Sequence, residues 1–221
     1  MIGCSAAIRL DVRPATPEEV RLLLLLDAGE TTGLAPLDVR FLHTFAYFAN
    51  ILAPVWDLAP LDGKVLKRRP GPLYPELQHD LDGLVGLGLV IISDLGHVQD
   101  EDGHWRLQGA YRLHHLLADP CLSAIRRFDN ERLVHSFLIE LGLALSSVPR
   151  DRLWAAAQED ATYADPLTSV GNVIDFAEWQ RQNWSTNAAR RFAALLPEGI
   201  QATRGEQLHL YFRHLRSRLT S

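Results

Sequence analysis

Asp80-Leu81-Asp82-Gly83-Leu84-Val85-Gly86-Leu87-Gly88-Leu89-Val90, continued by Ile91 and Ile92, is the stretch that decides how the chain is read. Leu77, Leu81, Leu84 and Val85 fall on one face at helical spacing, which predicts a helix over about Tyr74 to Leu87 that closes on Gly86 and Gly88. Leu89 to Ile92 is rich in β-branched residues and reads as a strand. A polar stretch, Ser93 to Gly103, separates it from a second arm. There Trp105, Leu107, Tyr111 and Leu113 alternate with Arg106, Gln108 and Arg112, the period of a half-buried hairpin strand.

Two helices precede this unit. Thr16-Pro17-Glu18-Glu19 is a capping box with Pro at the first helical position, and it opens a helix running to Asp27 that Gly29 should stop. The second should begin near Leu37, since Leu37, Phe41, Leu42, Phe45, Phe48, Ala49 and Leu52 keep the helical period until Pro54. From Pro54 to Pro75 five prolines predict an irregular connection, which holds the densest basic cluster, Lys64, Lys67, Arg68 and Arg69. Three helices followed by a β-hairpin is the order of a winged helix. Residues 1–119 are therefore expected to form a winged-helix-like module.

Residues 120–221 read as an all-helical region packed on that module, so the predicted class is mainly α. One helix is expected from Glu131 to Ser147 and a shorter one from Arg150 to Glu159. A loop around Asp165-Pro166 should span Ala161 to Asn172, with a helix over Val173 to Trp179 after it. Ser185 is the expected cap of a helix running to Leu196. The last helix, Gly205 to Leu219, should bury Leu208, Tyr211, Phe212, Leu215 and Leu219. No low-complexity linker or repeat separates the halves. The boundary near Asp119-Pro120 is one of architecture, not of flexibility.

The 221 residues are 47% hydrophobic and 22% charged, a globular composition long enough to bury a real core. The net charge of −5 excludes a chain that binds nucleic acid by bulk charge. No apolar run is long enough to cross a bilayer, so no membrane partner is expected. Met1 to Arg13 is too short and polar for a signal peptide, and a cytoplasmic location is expected. Cys4 and Cys121 suggest no disulfide framework.

Local catalytic signals are missing. Gly63-Lys64 lacks the upstream glycine and the following Ser or Thr of a phosphate-binding loop, and no G-x-S-x-G, C-x-x-C or H-E-x-x-H occurs. His114 and His115 are adjacent and point apart on a helix; His209 and His214 fall on different faces. No cofactor, metal or enzymatic activity is therefore expected. Should a site be assembled from distant residues, Asp57, Asp165 and His43 are the first candidates. Trp154, Trp179 and Trp184 sit at helical spacing among small or apolar residues and read as core, with a subunit contact as the other reading.

A DNA-reading helix lines its outer face with Arg, Lys, Asn or Gln. Here that helix carries Glu76, Asp80 and Asp82, with Gln78 and His79 as the only conceivable readers, and the wing adds Asp94, Asp100, Glu101 and Asp102. Residues 1–120 hold 10 Lys and Arg against 16 Asp and Glu, a net −6 that would repel phosphates. Glu76, Asp80 and Asp82 are instead a candidate partner-docking face. Two basic patches remain as candidate phosphate contacts: Lys64, Lys67, Arg68 and Arg69, and on the last helix Arg213, Arg216 and Arg218, with Arg204 nearby. The other reading of both is a solvated face or ion pairs with a protein.

Phe41-Leu42-His43-Thr44-Phe45-Ala46-Tyr47-Phe48-Ala49-Asn50, Pro54-Val55-Trp56-Asp57 and Lys64-Val65-Leu66-Lys67-Arg68 resemble the middle component of bacterial ABC-three component systems. Tyr74-Pro75-Glu76-Leu77, Ala161-Thr162-Tyr163-Ala164-Asp165-Pro166 and Ile174-Asp175-Phe176 extend the likeness over most of the chain, as diffuse apolar patterns without catalytic identity. The resemblance implies a non-catalytic adaptor in a Lamassu-type antiphage defence complex, bridging an SMC- or Rad50-like ATPase and an effector. DNA would then be contacted only indirectly or non-specifically. The rival expectation is a winged-helix transcriptional regulator.

Overall fold

A computed structural model describes residues 16–60, 64–69, 71–99, 103, 105–176, 183–197 and 199–219. Helix α1, Pro17–Thr31, starts on the expected box: Glu19 N–H donates to Thr16 Oγ1 at 3.2 Å, and Thr16 N–H to the Glu19 carboxylate at 2.9 Å. Leu22 to Leu26 are all buried, so the middle of α1 is covered all round while Glu18 near its start is exposed. It does not stop at Gly29. A Cβ there would lie 3.0 Å from Leu37 Cδ1, so the glycine serves close packing rather than termination. The stop is Thr32, whose hydroxyl donates to the Ala28 carbonyl at 2.8 Å, and then Gly33 with φ +73°.

Strand β1 is Leu37–Asp38, and Asp38 caps α2, Val39–Leu52, by accepting Phe41 N–H at 2.8 Å. Every residue of α2 from Phe41 to Leu52 is buried, which makes it the central helix. A 3-10 turn, Ala53–Trp56, follows. The connection expected to be irregular contains a short strand, β2, Lys64–Leu66. Helix α3, Pro75–Gly86, leads through Gly88 (φ +73°) into β3, Val90–Gln99, and β4 is Trp105–Leu113. The sheet order is β1-β4-β3, all antiparallel, with Leu37 opposite Tyr111 and Val90 opposite Leu113.

The hairpin is half-buried only at its base. Val90, Tyr111 and Leu113 enter the core, whereas Leu95, Val98 and Trp105 are exposed, Trp105 by 68%. A bulge between Ser93 and Gly96, with Asp94 at φ +52°, shifts the register there, so the expected inward alternation does not reach Trp105. Asp100, Glu101 and Asp102 lie outside the described residues.

Helix α4, His115–Ile125, runs through Asp119 and Pro120, so the expected architectural break falls inside an element. The order continues with α5, Asp129–Leu145, a 3-10 turn at Arg150–Arg152, α6, Leu153–Glu159, strand β5, Val173–Asp175, α7, Trp184–Ala194, and α8, Arg204–Leu219. The region 120–221 is therefore not all-helical. Where a helix was expected from Val173, β5 pairs antiparallel with β2, Val65 opposite Ile174, and both side chains are buried. Two β-branched residues gain more from this ladder than from a helical turn. Trp179 lies outside the described residues; Trp184 is 45% exposed, and Trp154 packs its ring over Gly71. One hydrophobic cluster runs from Leu22 to Leu215 across both halves.

Helices α1 and α5 touch where Gly142 faces Thr32; a Cβ at 142 would lie 2.7 Å from Thr32 Oγ1 and 3.0 Å from its Cγ2. Gly142→Ala should lower stability by about 1 kcal/mol, overpacking outweighing the gain in helix propensity. In a Thr32→Ala background the same change should become neutral or stabilising. Urea denaturation of the four chains reads this coupling, and equal effects in both backgrounds would contradict it.

Candidate functional site

The acids of α3 do not share one face. Glu76 and Asp80, one turn apart, line a groove together with residues of α1, and the next residues along that side, Leu81 and Leu84, are buried. Asp82 turns away, accepting from Gln78 Nε2 at 2.9 Å, and the same amide reaches the Tyr111 hydroxyl at 3.5 Å. Between α1, α2 and α3 lies a groove of about 360 Å³. Its floor is Leu22, Leu25, Ala46 and Leu77. Glu18, Glu76 and Asp80 rim it. Arg21 also borders it, with Nη1 donating to the Pro60 carbonyl at 3.3 Å. Burial, together with the charges of Glu19 and Glu18, pushes the Asp80 carboxyl above the usual range. One wall is Asn50, whose amide donates to the Tyr74 hydroxyl at 2.9 Å; Tyr74 stacks on His43 and donates its N–H to His43 Nδ1 at 3.2 Å.

The first basic patch is largely turned inward. Lys67 is only 8% exposed, and its ammonium donates to the carbonyls of Asp165 (2.9 Å) and Thr168 (2.7 Å) beside the Tyr163 ring. Lys64 pairs with Asp175 at 3.7 Å across the β2–β5 ladder. The Arg68 backbone is clamped by the Tyr163 hydroxyl, which accepts from its N–H and donates to its carbonyl. Arg69 is exposed while its carbonyl accepts from Gln158. On α8, Arg218 pairs with Glu159 at 2.8 Å, and Arg216 donates to the Ser147 carbonyl at 3.1 Å. Arg213 is exposed, and Arg204 is bridged to Asp57.

Asp57, Asp165 and His43 are not brought together. Asp57 borders a cavity with Arg190, Asp165 borders a second along α7, and His43 is sealed in the core. Asp165 accepts Leu167 N–H at 2.9 Å. The polar centre that sequence reasoning missed is Asp160. Fully buried, its carboxylate accepts from the hydroxyls of Tyr47 (2.5 Å), Tyr211 and Ser185 (2.9 Å) and from the N–H groups of Thr162 and Tyr163. Burial pushes its carboxyl up, against the hydrogen bonds. Ser185, expected as a cap, donates here, and Asn183 caps α7 by accepting from Thr186 N–H. No signal in Gln158-Glu159-Asp160 distinguishes the third residue from a solvated acid. Asp160, Thr162 and Ser185 are closed to solvent, so the cluster pins elements together.

Among the described residues no group of three or more His, Cys, Asp or Glu is placed to hold a metal, and no helix is long and apolar enough to cross a membrane. No family model, curated protein or solved structure matches the chain.

Two outcomes test these assignments. Asp160→Asn turns an N–H2 toward donors and should cost on the order of 3 kcal/mol, read by urea denaturation. Burial pushes His43 from 6.5 down to about 4, so the folded chain binds fewer protons than the unfolded one between these values. Its contribution is complete above pH 6.5 and is lost toward pH 4, on the order of 3 kcal/mol. Asp27 also favours higher pH: burial raises it, but hydrogen bonds from His135 and Arg126 hold it below the carboxylate range. His115, raised by Asp119 and Glu30, acts oppositely and loses its contribution as pH rises through its folded value. His43→Phe should flatten the stability profile between pH 4 and 6.5; an unchanged slope would refute the assignment.

Proposed function

We propose that the protein is a non-catalytic accessory subunit that docks other polypeptides within a hetero-oligomer. The observation that carries this is the groove beside α3, an apolar floor under a rim of Glu18, Glu76 and Asp80. The order α1-β1-α2-β2-α3-β3-β4, with β2 outside the sheet β1-β4-β3, supports a winged-helix-like body with α3 in the place of a recognition helix. A carboxylate-rimmed helix repels phosphates and suits a polypeptide better. Inward use of Lys67 removes one cation from the nearest candidate phosphate patch.

The likeness to the middle component of ABC-three component systems gives this docking a setting. In that setting the chain bridges an SMC- or Rad50-like ATPase and an effector in antiphage defence, in the cytoplasm. The rival, a winged-helix transcriptional regulator, retains Arg68, Arg69 and Arg213 as phosphate contacts.

The tagged chain, expressed with the ATPase and effector encoded beside it, should elute with them as one stoichiometric complex. Alone it should not shift duplex DNA at micromolar concentration. Failure to retain any neighbour-encoded protein removes the adaptor reading, and DNA binding unaided at nanomolar to micromolar levels installs the regulator in its place.

A further inference from the structure

We infer that the groove between α1 and α3 receives an amphipathic helix of a partner protein, with an Arg or Lys seated among Glu18, Glu76 and Asp80 and an aliphatic residue one turn away on the apolar floor. This deepens the docking reading and rests on it, naming the chemistry of what is docked.

Charge complementarity selects the occupant. Among the described residues no hydrogen bond or ion pair reaches the three rim carboxylates; Arg21, which also borders the groove, donates from Nη1 to the Pro60 carbonyl. Burial first, and then the charges of Glu19, Glu18 and Glu76 against that of His79, raise the Asp80 carboxyl, and a cation at the rim would favour its charged form. A bare divalent ion does not fit, since these acids are not placed as a ligand set. Phosphate-bearing ligands are repelled. A side-chain cation remains, and its hydrocarbon stem explains the rest of the site: Arg and Lys lay their methylenes on apolar surface while the head stays at a polar rim. Leu77 is the partly exposed part of the floor over the buried Leu22, Leu25 and Ala46, and the groove's volume of about 360 Å³ is space for that stem and a Leu-sized neighbour.

The groove's walls select the conformation. It lies between two helices, α1 and α3, with α2 beneath, and a third helix set into the furrow between two others is the ordinary way such a trough is filled. On a helix, residues at i and i+4 stand on one face, which matches a charged rim beside an apolar floor.

The test uses the full chain and a fluorescent Ala-based helical peptide bearing one Arg and one Leu at i and i+4. Anisotropy should show saturable binding at micromolar to submillimolar concentration. Arg→Glu in the peptide, or the double change Glu76→Gln and Asp80→Asn in the protein, should weaken it about tenfold or more, roughly 1.4 kcal/mol. Asp82→Asn should change nothing, because Asp82 faces Gln78 rather than the groove. Unaltered melting of the variants separates lost binding from lost fold. No binding by the Arg peptide, equal binding by its Glu counterpart, or equal loss from Asp82→Asn overturns the inference. So does self-association of the chain that Asp80→Asn abolishes, which would assign the groove to a second copy. An intact complex with the ATPase that survives Glu76→Lys with Asp80→Lys would sink the groove and leave the adaptor reading standing.

Discussion

The carboxylate of Asp160 is the joint on which the arrangement depends. Five donors converge on it, from α2 (Tyr47), α7 (Ser185), α8 (Tyr211) and the chain just after α6 (Thr162, Tyr163). A buried carboxylate is costly unless it is satisfied this completely, so the cluster permits few other arrangements of these elements. Its reach extends to the groove. Tyr47 anchors α2 on one side, while Ala46 and Asn50, one residue before it and three after it, form groove floor and wall. The carboxylate in the core thus sets the position of the surface that α1 and α3 complete.

The same logic explains where the cations went. Lys67 sits inside a turn of carbonyls and an aromatic ring, and with the β2–β5 ladder it ties residues 64–69 to residues 163–175. An ammonium can be buried in this way because carbonyl oxygens replace its water. Two consequences follow together. The basic connection becomes an internal strap between the halves, and the outside of the N-terminal half keeps its acidic bias with one fewer free cation to offset it.

Local signals were legible wherever the cause of the structure is local. The capping box at Thr16, the α2 period, and the α3-to-β3 junction at Gly88 each depend on residues within a turn or two, and each is present. Effects set by distant partners were not. Val173-Ile174-Asp175 becomes a strand only because Lys64-Val65-Leu66 lies beside it, and Gly29 is a packing site only because Leu37 arrives there. Asp160 and Lys67 look like surface residues in sequence, since nothing nearby announces two tyrosines from other helices or two carbonyls about a hundred positions on. The groove was half legible: the acids of α3 were visible, but Glu18 joins them and Asp82 leaves them only in three dimensions.

How the fold treats its acids separates structural carboxylates from those at the groove. Asp27 is met by Arg126 and His135, Glu30 by His115 and the Leu113 N–H, Asp38 by the Phe41 N–H, and Asp57 by Arg204. In each case the partner comes from a segment that the carboxylate helps to place, so charge and architecture agree. Among the described residues Glu18, Glu76 and Asp80 take no hydrogen bond or ion pair, and their like charges stand together at the groove. Stability alone does not favour that combination, because like charges set side by side are unfavourable. It is consistent with a surface completed from outside, where one amphipathic side chain would neutralise the rim and cover the floor at once.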